Sequence, residues 1–176
     1  MAPSKRTEIK RFMRAQPKPS VKLAFLLEDV QDPVNVGSAF RIADACKAEP
    51  VVLTGITAQP DHKLVQKIGR GKHKRLLWRH EESLEVAVAK LKAEGFKIFG
   101  VEITPDAQPY CDITYPEKTC LLVGHEDHGV TKKARALCDE LIFIPMYGKG
   151  ASLNVHVALG VAAFHALHHD YPRSAE

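Results

Sequence analysis

The stretch that most limits what this chain can become is its last apolar segment, "SLNVHVALGVAAFHALHH", which follows a loop with two glycines, "IPMYGKGA". From Leu153 to Phe164 only Asn154 and His156 are polar. A helix that is apolar on every side has to be buried on every side. With 176 residues, 45% hydrophobic and 26% charged, the chain has the size and balance of one domain with a full core. Such a domain has little room to enclose a terminal helix completely, so the outer face is expected to meet a second subunit in a homodimer.

Upstream, short apolar runs alternate with helical patterns. "KLAFLLE" (22–28), "PVVLTG" (50–55), "FKIFGVEI" (96–103), "TCLLVG" (119–124) and "ELIFIP" (140–145) read as strands, several continuously apolar as in a sheet covered on both faces. "NVGSAFRIADACK", "EESLEVAVAKLKAEG" and "TKKARALC" read as helices between them, the first capped by Asn35 and the second stopped by Gly95. This order predicts an α/β domain, a mostly parallel sheet with flanking helices, over residues 21–170. Residues 1–20 read as a basic N-terminal arm and 171–176 as a tail.

No apolar run reaches the roughly 18 to 20 residues that span a bilayer, and the N-terminus lacks the apolar centre of a signal peptide. A cytoplasmic protein with no membrane partner is expected. The four cysteines form no CxxC pair and read as small buried hydrophobes. His125, Asp127 and His128 are too close in one loop to converge on an ion, and His165 and His169 read as an exposed helix face, so no metal is expected.

The net charge of +4 is modest, but its distribution is uneven. The first twenty residues hold six basic side chains against Glu8, and "KLVQKIGRGKHKRLLWR" (63–79) contains no acid. Blocks of this kind suit a polyanion, because each phosphate contact releases condensed counterions. Arg70, Lys72, Lys74 and Arg75 are the candidate residues for binding such a polyanion; the plainer alternative is a solvated surface.

Three strand-to-helix corners carry the remaining signal. In "EDVQDPVNVGSAFRIADA", Gly37 and Ser38 would let backbone N–H groups approach an anion at a helix start, with Arg41 adding a forked donor. Taken alone, Asn35 could equally be a cap and Arg41 a surface residue. "LLVGHEDHGVTKKA" runs a strand into Gly124, the carboxylate of Glu126 and Gly129. In the third corner Gly148 and Gly150 mimic part of a dinucleotide fingerprint, but Leu153 stands where its third glycine belongs.

Taken together, "NVGSAFR", "VGHEDHGV" and "IPMYGKGASLNVHVA" resemble the three motifs of the SpoU/TrmH family of SPOUT methyltransferases, in order, within a similarity covering roughly residues 22–169. The resemblance implies an α/β domain with a C-terminal trefoil knot, a homodimer, and an S-adenosylmethionine site near the subunit interface. By motif, Gly124, Ile144, Met146 and Leu153 would contact the cofactor. Arg41, Asn35, Glu126, Ser152 and Asn154 would form the catalytic pocket. The implied reaction is methyl transfer to a ribose 2′-hydroxyl of structured RNA, with tRNA slightly favoured over rRNA because the arm is short and no second RNA-binding domain is evident.

The methyl donor is already activated, so the protein has chiefly to align the oxygen and receive its proton. A guanidinium stays charged at neutral pH, which favours Arg41 as a clamp on a neighbouring phosphate over Arg41 as the base itself. Two other classes stay open. A non-catalytic RNA-binding or assembly factor would use the basic blocks without the third motif, and an enzyme acting on a small nucleotide would leave the 63–79 block unexplained.

Overall fold

The computed structural model describes residues 5–150 and 152–168. Five strands follow the five apolar runs: β1 (Lys22–Glu28), β2 (Val51–Thr54), β4 (Lys97–Val101), β6 (Lys118–Val123) and β7 (Glu140–Phe143). Two more, β3 (Trp78–Glu81) and β5 (Gln108–Pro109), have no apolar run to announce them. Both lie at the edges of a seven-stranded sheet ordered β3-β2-β1-β6-β4-β7-β5, all of whose pairings are parallel. Edge strands need only one neighbour and bury less, so a polar "WRHE" or a two-residue segment ending in proline is tolerated there.

Central β1 shows why its sequence is continuously apolar. Leu23, Phe25 and Leu27 join a core with Val36, Phe40, Leu159 and Ala163, whereas Ala24 and Leu26 face a second core with Ala87, Leu91 and Ala134. The first face is covered by α2 (Pro33–Cys46), α3 (Lys63–Gly69) and α6 (Val155–His168), and the second by α4 (Leu84–Ala93) and α5 (Lys132–Leu137). A strand buried on both sides has no polar phase to display.

The helix starts correct two readings from sequence. Asp32 caps α2, its Oδ1 accepting from Val34 N at 2.8 Å, with Pro33 in the first turn, where its missing N–H costs nothing. Asn35 is therefore a buried residue inside the first turn, not the cap. Gly37 does not open α2 to a ligand either. A Cβ there would lie 2.8 Å from Ile68 Cβ and 3.0 Å from the Val65 carbonyl oxygen, so glycine is what lets α3 lie across α2. Ser83 and Thr131 cap α4 and α5, and Gly95, at φ 88°, follows α4.

The last helix is not buried all round. Leu159, Ala162, Ala163, Ala166 and Leu167 face the core, while Val157, Val161 and Phe164 stay 41%, 36% and 41% exposed. His165, expected on an exposed face, instead packs edge-on against Tyr110 with ring centroids 4.8 Å apart; His169 lies outside the described residues. At the other end of the chain α1 (Lys5–Ala15) buries none of its residues. None of the helices among the described residues is long and apolar enough to cross a membrane.

Candidate active site

Strands β6, β4 and β7 end side by side, and a cavity of about 420 Å³ opens beyond their carboxyl ends, the usual place for a ligand in a parallel sheet. Each strand delivers its last residues to the wall: Val123 and Gly124 from β6, Val101 and Glu102 from β4, Phe143 and Ile144 from β7. The loop after β7 and the start of α6 close the opposite side with Met146, Ser152, Leu153 and Val155.

The turn after β6 is tight because two backbones nearly touch. His125 and Gly129 exchange backbone hydrogen bonds of 3.1 and 2.8 Å, and a Cβ on Gly124 would fall 2.2 Å from the Gly129 oxygen. The loop tip is thereby folded back, and Glu126 points across to the start of α2. Its Oε1 accepts from Asp32 N at 3.0 Å and from Asn35 Nδ2 at 2.8 Å, and its Oε2 accepts from Gln31 N at 3.1 Å. Partial burial alone would push the Glu126 carboxyl up, but the bonds from the Asn35 amide and the backbone N–H groups of Asp32 and Gln31 outweigh it and hold it below the ordinary range. The carboxylate thus takes up the Gln31 and Asp32 N–H groups that precede α2.

On its other side the Asn35 amide oxygen lies 2.9 Å from His156 Nδ1, and the Asn154 side chain accepts from His156 N at 3.0 Å. One hydrogen-bonded chain therefore runs from the second corner through the first to the third. Of the residues singled out in the sequence, Gly124, Ile144, Met146, Leu153, Glu126 and Ser152 line the cavity. Asn35 stands behind Glu126, and Asn154 sits at the mouth of α6. Arg41 is exposed on α2 and does not line the cavity.

Sequence reasoning passed over Glu102, Arg135 and His156. Glu102 lay inside the apolar run read as a strand to residue 103; its carboxylate in fact receives the backbone N–H groups of Ile103 and Val130 at 2.8 and 2.7 Å. A charged residue at the carboxyl end of an apolar strand was the available signal. Arg135 lines the cavity from α5 with its Nε buried and without a hydrogen-bond partner, which nothing in "TKKARALC" announces. The loop histidines are occupied with each other: His125 and His128 stack at 4.8 Å, and His125 Nδ1 accepts from Asp127 N. Among the described residues no three His, Cys, Asp or Glu side chains are grouped to hold a metal ion.

The 63–79 block is divided in two. Lys72 Nζ and Arg75 Nη2 each lie 2.5 Å from Asp44 on α2, and burial of Asp44, which would push its carboxyl up, is overcome by these two cations. Arg79 pairs with Glu81 and Glu94. Arg70, in the left-handed conformation at the end of α3, and Lys74 are exposed.

Residues 22–164 match the family described as SpoU rRNA Methylase. This chain belongs to that family. Among its relatives, a Bacillus subtilis 23S rRNA (guanosine(2553)-2'-O)-methyltransferase is 35% identical over 152 residues, covering 84% of this chain and 60% of that protein. A Thermus thermophilus tRNA (guanosine(18)-2'-O)-methyltransferase is 35% identical over 147 residues, covering 82% and 73%. An AdoMet-bound rRNA methyltransferase from Sinorhizobium meliloti superposes with a TM-score of 0.79 at 25% identity, over 89% of this chain and 59% of that one. The SpoU-family chain thus spans about 60% of the length of its Bacillus relative.

The Glu126 geometry has a pH signature. A carboxyl held below its ordinary value of 4.5 stabilises the fold above that value and loses its contribution as the pH falls through the lowered one. Glu126→Gln, which sets an amide N–H against backbone donors, is expected to be less stable than the native chain at pH 7. The gap should narrow on acidification below pH 4.5, as read by urea midpoints across the pH range.

Proposed function

We propose that this chain transfers a methyl group from S-adenosylmethionine to a ribose 2′-hydroxyl of a structured RNA, working in the cytoplasm. The observation that carries the reading is the cavity at the ends of β6, β4 and β7, joined through Glu126 and Asn35 to the helix that bears Arg41. Relatives named for rRNA and for tRNA methylation support the class of substrate equally, so the RNA is either of these.

The cavity suits the cofactor. Ile144, Leu153 and Val155 form an apolar wall for a purine, and the polar wall holds Arg135, whose buried Nε lacks a partner that an anionic or hydroxyl oxygen would supply. Gly124, Ile144, Met146 and Leu153 would hold it. When bound, it supplies a methyl group on a sulfonium, activated without further chemistry from the protein. The chain's own task is alignment and proton handling. Ser152 and Asn154 shape the loop over the cavity, and Glu126 with Asn35 fixes the facing wall. Arg41 holds a phosphate beside the target ribose, favouring the ionised 2′-oxygen or passing its proton to phosphate or water.

The exposed apolar face of α6, Val157, Val161 and Phe164, supports a homodimer, with Val155 and Ala158 of the same helix lining the cavity. In such a dimer Arg41, which does not line the cavity of its own protomer, would serve the cavity of the second copy. A C-terminal trefoil knot is supported by the path of the chain, which leaves β7 near one sheet edge and returns in α6 to pack on α2 and central β6. Residues 1–20 would act as a basic arm, 21–170 as the methyltransferase domain and 171–176 as a tail.

Incubating the chain with methyl-labelled cofactor and total RNA should yield an alkali-resistant labelled dinucleotide. Arg41→Ala should abolish it while changing cofactor affinity by less than about twofold; equal losses of rate and affinity would place Arg41 on the cofactor instead. Light scattering at micromolar concentration should find a dimer, and serine at Val157, Val161 and Phe164 should yield monomers without transfer activity. Replacing exposed Arg70 and Lys74 by glutamine should flatten the salt dependence of RNA binding by about one unit of slope per lost contact. The same change at Lys72 and Arg75 should instead lower thermal stability by exposing Asp44, and an equal effect of both pairs on the salt slope would refute this division.

A further inference from the structure

His156 lies in the first turn of α6 with Nδ1 2.9 Å from Asn35 Oδ1, while the Asn35 Nδ2 lies 2.8 Å from Glu126 Oε1. The orientation of this amide is not free. An ionised carboxylate only accepts hydrogen bonds, so the NH₂ of Asn35 has to face Glu126 and its oxygen has to face His156. An amide oxygen has no proton to give. His156 therefore carries its proton on Nδ1, and in the neutral ring Nε2 is the bare nitrogen, the reverse of the tautomer that free histidine favours in water.

The surroundings also favour the neutral ring. Burial pushes the His156 pKa down, against a smaller upward pull from the Asp32 carboxylate, and a position at a helix N-terminus disfavours a cation further. The carboxylates that face this group are those of Asp32 and Glu126, and Glu126 is already occupied by three N–H donors.

We propose that His156 is a positioning residue for methyl transfer, a role that rests on the function proposed above. Its Nδ1–H fixes the Asn35 amide, the amide fixes Glu126, and Glu126 fixes the Gln31–Asp32 backbone from which α2 and Arg41 depart. His156 and Asn35 do not line the cavity, so the effect belongs to the alignment of the reacting groups and not to cofactor binding. Loss of the histidine leaves the buried Asn35 oxygen without its donor and frees the amide to turn, and the misalignment that follows is expected to slow the reaction about tenfold.

The test combines nitrogen-15 NMR of the histidine-labelled full chain with kinetics of two variants. In the native chain His156 should show a protonated Nδ1 and a bare Nε2 at neutral pH. His156→Leu should lower kcat about tenfold, with cofactor Kd and RNA KM within about twofold of native. His156→Asn, whose side-chain N–H₂ comes close to the place of Nδ1, should recover most of the loss. A native Nε2–H tautomer would overturn the proposal, and so would an unchanged kcat in His156→Leu. Equal loss in both variants would assign the chemistry to the imidazole itself and refute a positioning role. A native chain with the Nδ1–H tautomer that methylates no RNA would sink the function and this role together, while leaving the hydrogen bond intact.

Discussion

The site is organised by one carboxylate brought to the start of one helix. Glu126 receives two backbone N–H groups and the Asn35 amide, three donors that the entry into α2 would otherwise leave to water. A charge-assisted bond of this kind is stronger than a neutral one, and here it ties the loop after β6 to the loop after β1. The start of α2 and the start of α6 are both referenced to that junction. Arg41 extends from the helix it starts, and the loop that carries Ser152 and Leu153 is joined to it through His156.

The junction works because the sheet beneath it is rigid. β1 and β6 are adjacent and buried on both faces, so their ends, and the two loops bridged by Glu126, are held at fixed separation. Close backbone approach at Gly124 then folds the loop tip back, sending a carboxylate inward where an open loop would turn it to water. The basic block shows the same economy. Asp44 uses Lys72 and Arg75 to pin the turn after α3 onto α2, while Arg70 and Lys74 stay exposed. A run of basic residues is thus part scaffold and part surface, and only the fold divides it.

Much of this was legible in the chain. A strand buried on two faces has to be apolar throughout, so β1, β2, β4, β6 and β7 stand out as runs, and the glycine-rich corners mark where the chain leaves them. The motifs also name residues that reach the cavity, among them Gly124, Ile144, Leu153 and Ser152. Edge strands β3 and β5 were illegible because an edge imposes little on its residues. The cap was misassigned because Asn35 and Asp32 are both good caps locally, and the choice fell to Asp32 once Asn35 was needed elsewhere.

The sequence by itself determined the α/β order, the parallel sheet and the presence of one helix with more apolar surface than a single core can cover, since these follow from periodicity and burial along the chain. Tertiary structure alone decided which polar groups meet. Asn35 finds Glu126 91 positions away and His156 121 positions away, and the protonated nitrogen of that histidine is set by an amide that is itself set by a carboxylate. Hydrogen-bond partners at such separations leave no periodicity in the sequence, because they are fixed by the crossing of strands and helices and not by the spacing of residues.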